Sequence, residues 1–227
     1  MSPKRAIILF DFDGTLIDST PAIYASFCAA LSHNGFAIPS QESVEGCIGH
    51  TLHDMFTMHG VAPAMLQRCV DDYRTHYRAQ MERGTVLLPN AREAVAQASA
   101  FAFLGLVTTK RGDYSRALLQ SFGIAEHFAC VVGIEDAASP KPAPEPILCA
   151  LEAIARPEIA LEHIFMVGDT ALDLQAARAA GVRGLGVLCG FGRESDLRAF
   201  DAPLFADALG AVAFARESSA ASRQSRA

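Results

Sequence analysis

The sequence lacks several features that mark particular classes of protein. Its 227 residues contain no tryptophan, and lysine accounts for only three of the 19 Lys and Arg residues. The formal net charge is −6, which argues against a nucleic-acid-binding protein because such proteins need a basic face. No apolar run reaches the roughly 20 residues of a membrane span, and the apolar run 6–10 is too short for a secretory signal. We therefore expect a cytoplasmic protein without a nucleic-acid or membrane partner.

Cysteine and histidine form no pattern typical of a disulfide framework or a zinc site. The six cysteines are scattered, and none belongs to a C-x-x-C pair, so we expect isolated, reduced thiols. His50 and His53 have helical spacing, but no acidic or cysteine residue completes a ligand set with them. A zinc-type site is therefore not indicated.

Strand-like and helix-like segments alternate over most of the chain. The strand-like segments are short, nearly continuous apolar runs at 6–10, 103–109, 128–133, 163–169 and 182–188. Such runs are typical of strands that are buried on both faces of a parallel sheet. Helix-like segments separate the later runs, at about 90–100, 113–122, 144–155 and 171–180. The alternation predicts an α/β fold, with a Rossmann-like, doubly wound parallel sheet.

Residues 18–84 interrupt this alternation, because they contain no strand-like run and resemble several helices. The first helix is expected to begin at Thr20-Pro21, where an N-cap residue precedes a proline. We predict that 18–84 form a small, all-helical cap domain inserted after the first strand. The α/β core domain would then comprise 1–17 and 85–215, and the Ser- and Arg-rich stretch 216–227 is predicted to be a disordered tail.

Polar residues follow the predicted strands, at the edge of the sheet where open parallel sheets bind ligands. They are Asp11 and Asp13 after the first strand, Thr108 and Thr109 after the second, Lys141 in a proline-rich loop, and Asp169 and Asp173 after the strand 163–169. Clustered carboxylates repel one another unless a divalent cation joins them, and a set of oxygen ligands favours Mg²⁺. A cation beside a hydroxyl and an ammonium group suits a phosphoryl group.

These residue types indicate a separate role for each residue in phosphoryl transfer. One carboxylate would be free to act as a nucleophile and form an aspartyl phosphate. A second, two residues further on, would protonate the leaving oxygen and later activate water. Lys141 would neutralise phosphate charge, while Thr108 and the backbone N–H groups of Gly14 and Thr15 would bind phosphate oxygens.

Four segments in order, DFDGTLIDS, LVTTK, SPKPAPEP and VGDTALDLQAA, resemble the motifs of the haloacid dehalogenase-like superfamily. With the helical insertion, the resemblance covers the chain to about residue 215. It implies that Asp11 is the nucleophile and Asp13 the general acid/base. It also implies that Asp11, the carbonyl of Asp13, and Asp169 bind Mg²⁺, and that Asp173 holds a metal-bound water or orients Lys141.

The same resemblance implies that Thr108 and Lys141 bind the phosphoryl group. Thr109 stands where many relatives have asparagine, which is a mild departure because no charge is lost, and we include it among the predicted phosphate-binding residues. Ser is frequent in the family at the position of Thr170, an equally mild departure.

Several branches of the superfamily fit the chain poorly. The dehalogenases lack the second aspartate, which is present here as Asp13. The phosphonatases need a cap lysine, and 18–84 contain none. The phosphosugar mutases carry a histidine where this chain has Ile23. The segment DSTPAIYASF is similar to the phosphoglycolate phosphatase branch.

The resemblance therefore implies a Mg²⁺-dependent phosphatase with 2-phosphoglycolate as the favoured substrate. We expect either a monomer or a homodimer. Other sugar phosphates, nucleotides and pyrophosphate remain open as substrates. A phosphosugar mutase resembling β-phosphoglucomutase and a non-catalytic sensor of phosphorylated ligands remain alternatives.

Some residues near these motifs have two interpretations. Gly49-His50-Thr51 lies at a predicted helix start, and His50 is a candidate for facing the substrate and setting specificity. Asp18, Ser19 and Thr20 are interpreted as helix-capping residues. Lys110 is either a solvated loop residue or part of the site. Gly14 is expected to permit close approach of the backbone.

Overall fold

A computed structural model describes residues 4–221 of the chain. Six strands form its main sheet: β1 (Ala6–Phe10), β4 (Ala102–Val107), β5 (Phe128–Val132), β6 (Ile164–Gly168), β7 (Arg183–Val187) and β8 (Leu204–Phe205). Their spatial order is β5-β4-β1-β6-β7-β8, and every neighbouring pair is parallel. This confirms the predicted Rossmann-like α/β fold, with the five predicted strands within two residues of their expected bounds.

Helices cover both faces of this sheet, as the buried character of the strands requires. They are α5 (Ala91–Ser99), α6 (Gly112–Ser121), α7 (Glu145–Ile154), α8 (Ala171–Ala179), α9 (Glu194–Leu197) and α10 (Ala208–Ala221). Strand β1 shows the reason for its apolar run. Ile8 and Phe10 belong to one buried cluster, with α5 and α10, whereas Ile7 and Leu9 belong to a second, with α7 and α8.

Four helices lie between the first strand and the rest of the sheet: α1 (Thr20–His33), α2 (Gln41–Glu45), α3 (Leu52–Met58) and α4 (Pro63–Gln80). Helix α1 packs along α4, and Phe27 of α1 stacks on Phe56 of α3 with ring centroids 4.4 Å apart. The predicted helical character of this segment agrees with these elements. The short strands β2 (Ile17–Asp18) and β3 (Val86–Leu87) pair antiparallel at its two ends. Two residues are too few to carry a periodic pattern, so this pair was not predicted.

The C-terminal part of the chain differs from its prediction. Helix α10 continues to Ala221, so the first part of the predicted disordered tail, 216–221, is helical; 222–227 lie outside the described residues. Val212 and Ala215 are buried and anchor the helix, and Arg216, Glu217 and the two alanines at 220–221 are residue types that favour its continuation. None of the described helices combines the length and the apolar character that crossing a membrane would require.

Candidate active site

The predicted site residues meet at the carboxyl edge of the sheet because they follow three adjacent strands. Phe10, the last residue of β1, pairs with Leu106 of β4 and Val167 of β6. Asp11, Thr108 and Asp169 therefore leave these strands side by side. The backbone continues the ladder by one step beyond β1, since Asp11 N–H donates to the carbonyl of Val167 at 2.9 Å. The sheet thus fixes the starting point of each site segment.

Three aspartates form a buried cluster at this edge. One carboxylate oxygen each of Asp11, Asp169 and Asp173 lies within 4.8 Å of the others, and all three residues are buried. Lys141 reaches into the cluster from the loop before α7. Its Nζ lies 2.8 Å from Asp11 Oδ1 and 2.6 Å from Asp173 Oδ1, and donates to the carbonyl of Val107 at 3.2 Å. The ammonium group therefore has three fixed acceptors.

Asp173 is fully engaged by hydrogen bonds within the protein. Its Oδ1 accepts from Lys141, and its Oδ2 accepts from the N–H of Thr170 at 3.0 Å and from the Thr170 hydroxyl at 2.7 Å. Of the two roles implied for Asp173, these contacts fit the orientation of Lys141. Burial alone would lower the pKa of Lys141, but Asp11 and Asp173 together raise it above its ordinary value, so the lysine is charged.

Asp169 is held by residues from two other segments. The hydroxyl of Thr15 donates to Asp169 Oδ1 at 3.0 Å, and the N–H of Phe191 donates to Oδ2 at 2.8 Å. Gly14 lies against the same carboxylate. A Cβ added to Gly14 would lie 2.3 Å from Asp169 Oδ2, and its φ of +79° also favours glycine. The expected close approach at Gly14 is therefore confirmed.

The cluster carries more negative charge than Lys141 can balance. Burial raises the pKa of Asp11 to about 7, even though the nearby Lys141 acts to lower it. Burial, followed by the charges of Asp11 and Asp173, also holds the pKa of Asp169 well above its usual range. A divalent cation would compensate for this excess charge, and an oxygen-only donor set suits Mg²⁺. Because Lys141 and Thr170 occupy Asp173, Asp11 and Asp169 are the carboxylates best placed to hold such a cation.

Asp13 points its carboxylate to a different partner set. Ser19 donates its hydroxyl to Asp13 Oδ1, and the Nζ of Lys110 lies 3.0 Å from Asp13 Oδ2. As a metal ligand Asp13 was predicted to act through its carbonyl, which accepts no hydrogen bond from residues 4–221. Ser19 occupies the N-cap position of α1 but makes no side-chain cap bond. Ser19 therefore stands at the predicted cap position, but its side chain binds Asp13 instead of capping the helix. Asp18 does accept from the N–H of Thr20 at 2.9 Å.

The backbone around Gly14 corrects one prediction. Gly14 N–H donates to the carbonyl of Ile17 at 2.8 Å, and Thr15 N–H donates to the carbonyl of Phe12 at 3.3 Å. The turn thus uses both groups that were expected to bind phosphate. In the described part of the chain, the N–H groups of Phe12, Asp13 and Thr109 lie at the same edge and donate to no acceptor. These amides are available to a phosphate oxygen.

Thr108 and Lys110 are both withdrawn from solvent. Thr108 is 4% exposed, and its hydroxyl oxygen accepts from the N–H of Lys110 at 3.1 Å, which leaves its hydroxyl proton free to be donated. The side chain of Lys110 is 8% exposed. The interpretation of Lys110 as a solvated loop residue was therefore wrong.

A cavity of about 80 Å³ adjoins Asp13 and opens between the sheet edge and helices α1, α3 and α4. Its wall includes His50, Tyr73, Tyr77 and Ile23. The loop that carries His50 also approaches the aspartate cluster, because a Cβ at Gly49 would lie 3.1 Å from Cγ2 of Thr170. His50 thus lines the same cavity as Asp13, and its role in specificity stays a prediction.

Fold and site together define a Rossmann-like α/β enzyme with a lysine-bridged aspartate cluster at the carboxyl edge of its sheet. Residues 8–187 match the family described as haloacid dehalogenase-like hydrolase. Because this match covers well over half of the chain, the chain belongs to that family. The membership and the hydrolase class predicted from the four motifs are thereby confirmed.

The names of the chain's relatives include more than one activity. The chain is 30% identical over 193 residues to the phosphoglycolate phosphatase of Yersinia pseudotuberculosis, covering 81% of each chain. It is 31% identical over 186 residues to the "Putative pyrophosphatase PpaX" of Caldanaerobacter subterraneus, covering 81% of this chain and 82% of that one. A solved haloacid dehalogenase-like family hydrolase of Streptococcus pneumoniae superposes with a TM-score of 0.82 at 26% identity, covering 92% of this chain and 97% of that chain.

Proposed function

We propose that the protein is a cytoplasmic, Mg²⁺-dependent phosphatase that hydrolyses a small phosphate monoester through an aspartyl phosphate on Asp11. The favoured substrate is 2-phosphoglycolate. The observation that carries the proposal is the contact between Lys141 and Asp11, because a buried lysine fixes a carboxylate at the end of the central strand β1. A carboxylate held in one position by a charged donor is a suitable nucleophile for a phosphoryl group.

The reaction would proceed in two displacements. A carboxylate oxygen of Asp11 forms a bond to phosphorus while the bond from phosphorus to the substrate oxygen breaks, and Asp13 gives that oxygen a proton. Asp13 then takes a proton from a water molecule as the water oxygen attacks phosphorus, which frees Asp11 and releases inorganic phosphate. Lys141, the hydroxyl of Thr108 and the amides of Phe12, Asp13 and Thr109 would bind the phosphoryl oxygens.

A Mg²⁺ ion held by Asp11, Asp169 and the carbonyl of Asp13 would supply positive charge against the phosphoryl group and the buried carboxylates. The fit rests on the oxygen-only donor set and on the raised pKa values of Asp11 and Asp169, which follow first from burial and then from the neighbouring carboxylates. Asp173 would contribute by keeping Lys141 in place.

The helices of 18–84 would form the cap domain, contact the leaving group and so select the substrate. The cavity of about 80 Å³ suits a small substituent on the phosphate, as in 2-phosphoglycolate, and the relatives named phosphoglycolate phosphatase support the same substrate. His50 in the cavity wall would contact that substituent. The enzyme would act as a monomer or a homodimer on this small-molecule substrate.

A phosphosugar mutase is the competing proposal. Ile23, which stands where those mutases carry a histidine, is 5% exposed and lines the cavity. An apolar side chain there offers no polar group to the chemistry at Asp13. This observation favours release of phosphate to water over its return to a sugar.

The proposal is tested by measuring phosphate release from a panel that contains 2-phosphoglycolate, sugar phosphates, nucleotides and pyrophosphate. The wild type, Asp11→Asn and the control Asp113→Asn are assayed with Mg²⁺ and with EDTA. We expect one small phosphomonoester to be turned over fastest, and both EDTA and Asp11→Asn to abolish turnover while Asp113→Asn keeps it. Turnover by Asp11→Asn, or release of phosphate in EDTA, would refute the mechanism; interconversion of phosphosugars without phosphate release would favour the mutase.

A further inference from the structure

Lys110 makes a set of contacts that the proposed mechanism does not use. Its Nζ lies 3.0 Å from Asp13 Oδ2 and donates to the hydroxyl of Tyr77 at 2.8 Å. The same ammonium group lies 4.6 Å from the centroid of the Tyr77 ring. Asp13 lies after β1, Lys110 lies after β4, and Tyr77 lies on α4, so three separate segments meet at one lysine.

The ammonium group of Lys110 and its two partners are largely buried. The side chains of Lys110 and Asp13 are 8% and 12% exposed, and Tyr77 is 1% exposed. Burial by itself would lower the pKa of Lys110, but Asp13 and then Tyr77 raise it above its ordinary value. A charged lysine in this position is costly to bury unless its partners are fixed.

The tyrosine partner is itself held on both sides. The Tyr77 ring stacks on Tyr73 with centroids 5.5 Å apart, and its other neighbour is Tyr114 of α6, at 5.6 Å. The hydroxyl of Tyr114 donates to the carbonyl of Arg74 at 3.4 Å. These contacts join α4 to the core at the place where Lys110 emerges. The orientation of Lys110 therefore depends on where α4 lies.

We propose that Lys110 is a positioning residue of the general acid/base, holding Oδ2 of the Asp13 carboxylate in place from an anchor on Tyr77 of helix α4. The inference rests on the proposed function, because it assumes that Asp13 transfers the proton. Lys110 touches neither Asp11 nor the aspartate cluster; among the ion pairs of residues 4–221 its partner is Asp13. Lys110 also lines the cavity beside Asp13, and the proposal assigns its effect on the reaction to the contact with Asp13, not to a contact with the substrate.

A positioning role gives a signature that depends on the leaving group. The alcohol of 2-phosphoglycolate is a poor leaving group and needs a proton from Asp13. Acetyl phosphate is of similar size, and its acetate leaves without a proton. The ratio kcat/KM reports only the steps up to departure of the leaving group, so the later attack of water does not mask the difference.

The test compares Lys110→Met with the wild type on these two substrates. Lys4→Met is the matched control, because Lys4 precedes β1 at the opposite edge of the sheet, with its Nζ 5.1 Å from the Phe103 ring. We expect Lys110→Met to lower kcat/KM for 2-phosphoglycolate by about 10- to 100-fold, which is less than the roughly 10²- to 10⁴-fold that general acid catalysis provides because Asp13 itself remains. For acetyl phosphate kcat/KM should change less than about threefold, and Lys4→Met should match the wild type on both substrates.

Tyr77→Phe keeps the aromatic ring and removes the hydroxyl, so it tests the anchor should Lys110→Met fold poorly. Tyr77→Phe should also lower kcat/KM more for 2-phosphoglycolate than for acetyl phosphate, but by less than Lys110→Met does. An equal loss on both substrates, or no loss on either, in a folded Lys110→Met or in Tyr77→Phe would overturn the inference. Asp11→Asn separates the two levels of the argument. If it retains turnover, the proposed function fails and the inference fails with it; if it is inactive while the Lys110 signature is absent, only the inference fails.

Discussion

The burial of Asp11, together with the charge of Asp173, predicts that Asp11→Asn stabilises the metal-free protein, and increasingly so as the pH rises. Asp11 is 3% exposed, and its pKa is raised from an ordinary value of 3.8 to about 7. Between these values the unfolded chain has released the proton while the folded chain still holds it. The folded state therefore loses stability relative to the unfolded state as the pH rises through this window.

The size of the effect follows from the two pKa values. One pKa unit corresponds to about 1.4 kcal/mol, so a difference of about three units amounts to about 4 kcal/mol at most. Asparagine has the same shape as aspartate and does not ionise. The gain in the free energy of unfolding should therefore be small near pH 4, grow up to pH 7 and remain constant above it.

Urea denaturation in EDTA, followed by far-ultraviolet circular dichroism, measures this directly, since the chain has no tryptophan to report by fluorescence. Asp113→Asn is the control of opposite sign, because Arg111 lowers the pKa of Asp113. That substitution should cost stability as the pH rises, not add it. A gain for Asp11→Asn that does not change between pH 5 and 8, or a loss that grows with pH, would refute the reasoning.

Three further predictions concern the same site. Mg²⁺ should raise the melting temperature of the wild type by several degrees at pH 7.5, as measured by calorimetry. In Asp169→Asn the increase should be clearly smaller. Equal increases in both proteins would show that Asp169 is not a ligand of the metal. Lys141→Met leaves Asp11 and Asp173 without their shared cation, so we expect a loss of about 3–5 kcal/mol in urea together with loss of phosphatase activity; a stable, active variant would contradict both roles. Gly14→Ala places a Cβ 2.3 Å from Asp169 Oδ2 and should lower the free energy of unfolding by about 1–3 kcal/mol and abolish most of the activity. The control is Gly35→Ala, which is also at positive φ but has no atom within 4 Å of the added Cβ. It should lose less stability and keep its activity.

The elements that were predicted well are those whose signal is local. The apolar run 6–10 is β1 to the residue, because a strand buried on both faces has to be apolar throughout. The placement of Asp11 and Asp169 at one edge then follows from the parallel topology alone. The strands β2 and β8 have two residues each and no pattern of their own, so only tertiary contacts define them.

Contacts made between distant segments could not be predicted from the sequence. Phe191 donates to Asp169 across 22 positions, and Tyr77 meets Lys110 across 33. Nothing in the local pattern of either residue indicates its partner. The donors of the Gly14 turn were assigned wrongly for the opposite reason, since a local backbone bond uses them first. One signal did point to Lys110: lysine is rare in a chain rich in arginine, and a retained lysine indicates a place for a compact cation.

Two of the three lysines form ion pairs with aspartates of the first motif: Lys141 with Asp11 and Lys110 with Asp13. The two lysines are held in different ways. Lys141 binds Asp11 and is fixed by Asp173 and by the carbonyl of Val107, all within the sheet and its helices. Lys110 binds Asp13 and is fixed by Tyr77, which belongs to the helices inserted after β1. The nucleophile would therefore keep its geometry wherever α4 lies. The acid/base accepts from Ser19 as well, but its contact with Lys110 would be set only when α4 is docked. Such an arrangement would join proton transfer to closure of the site, so that the substrate oxygen receives its proton when the surrounding helices exclude water.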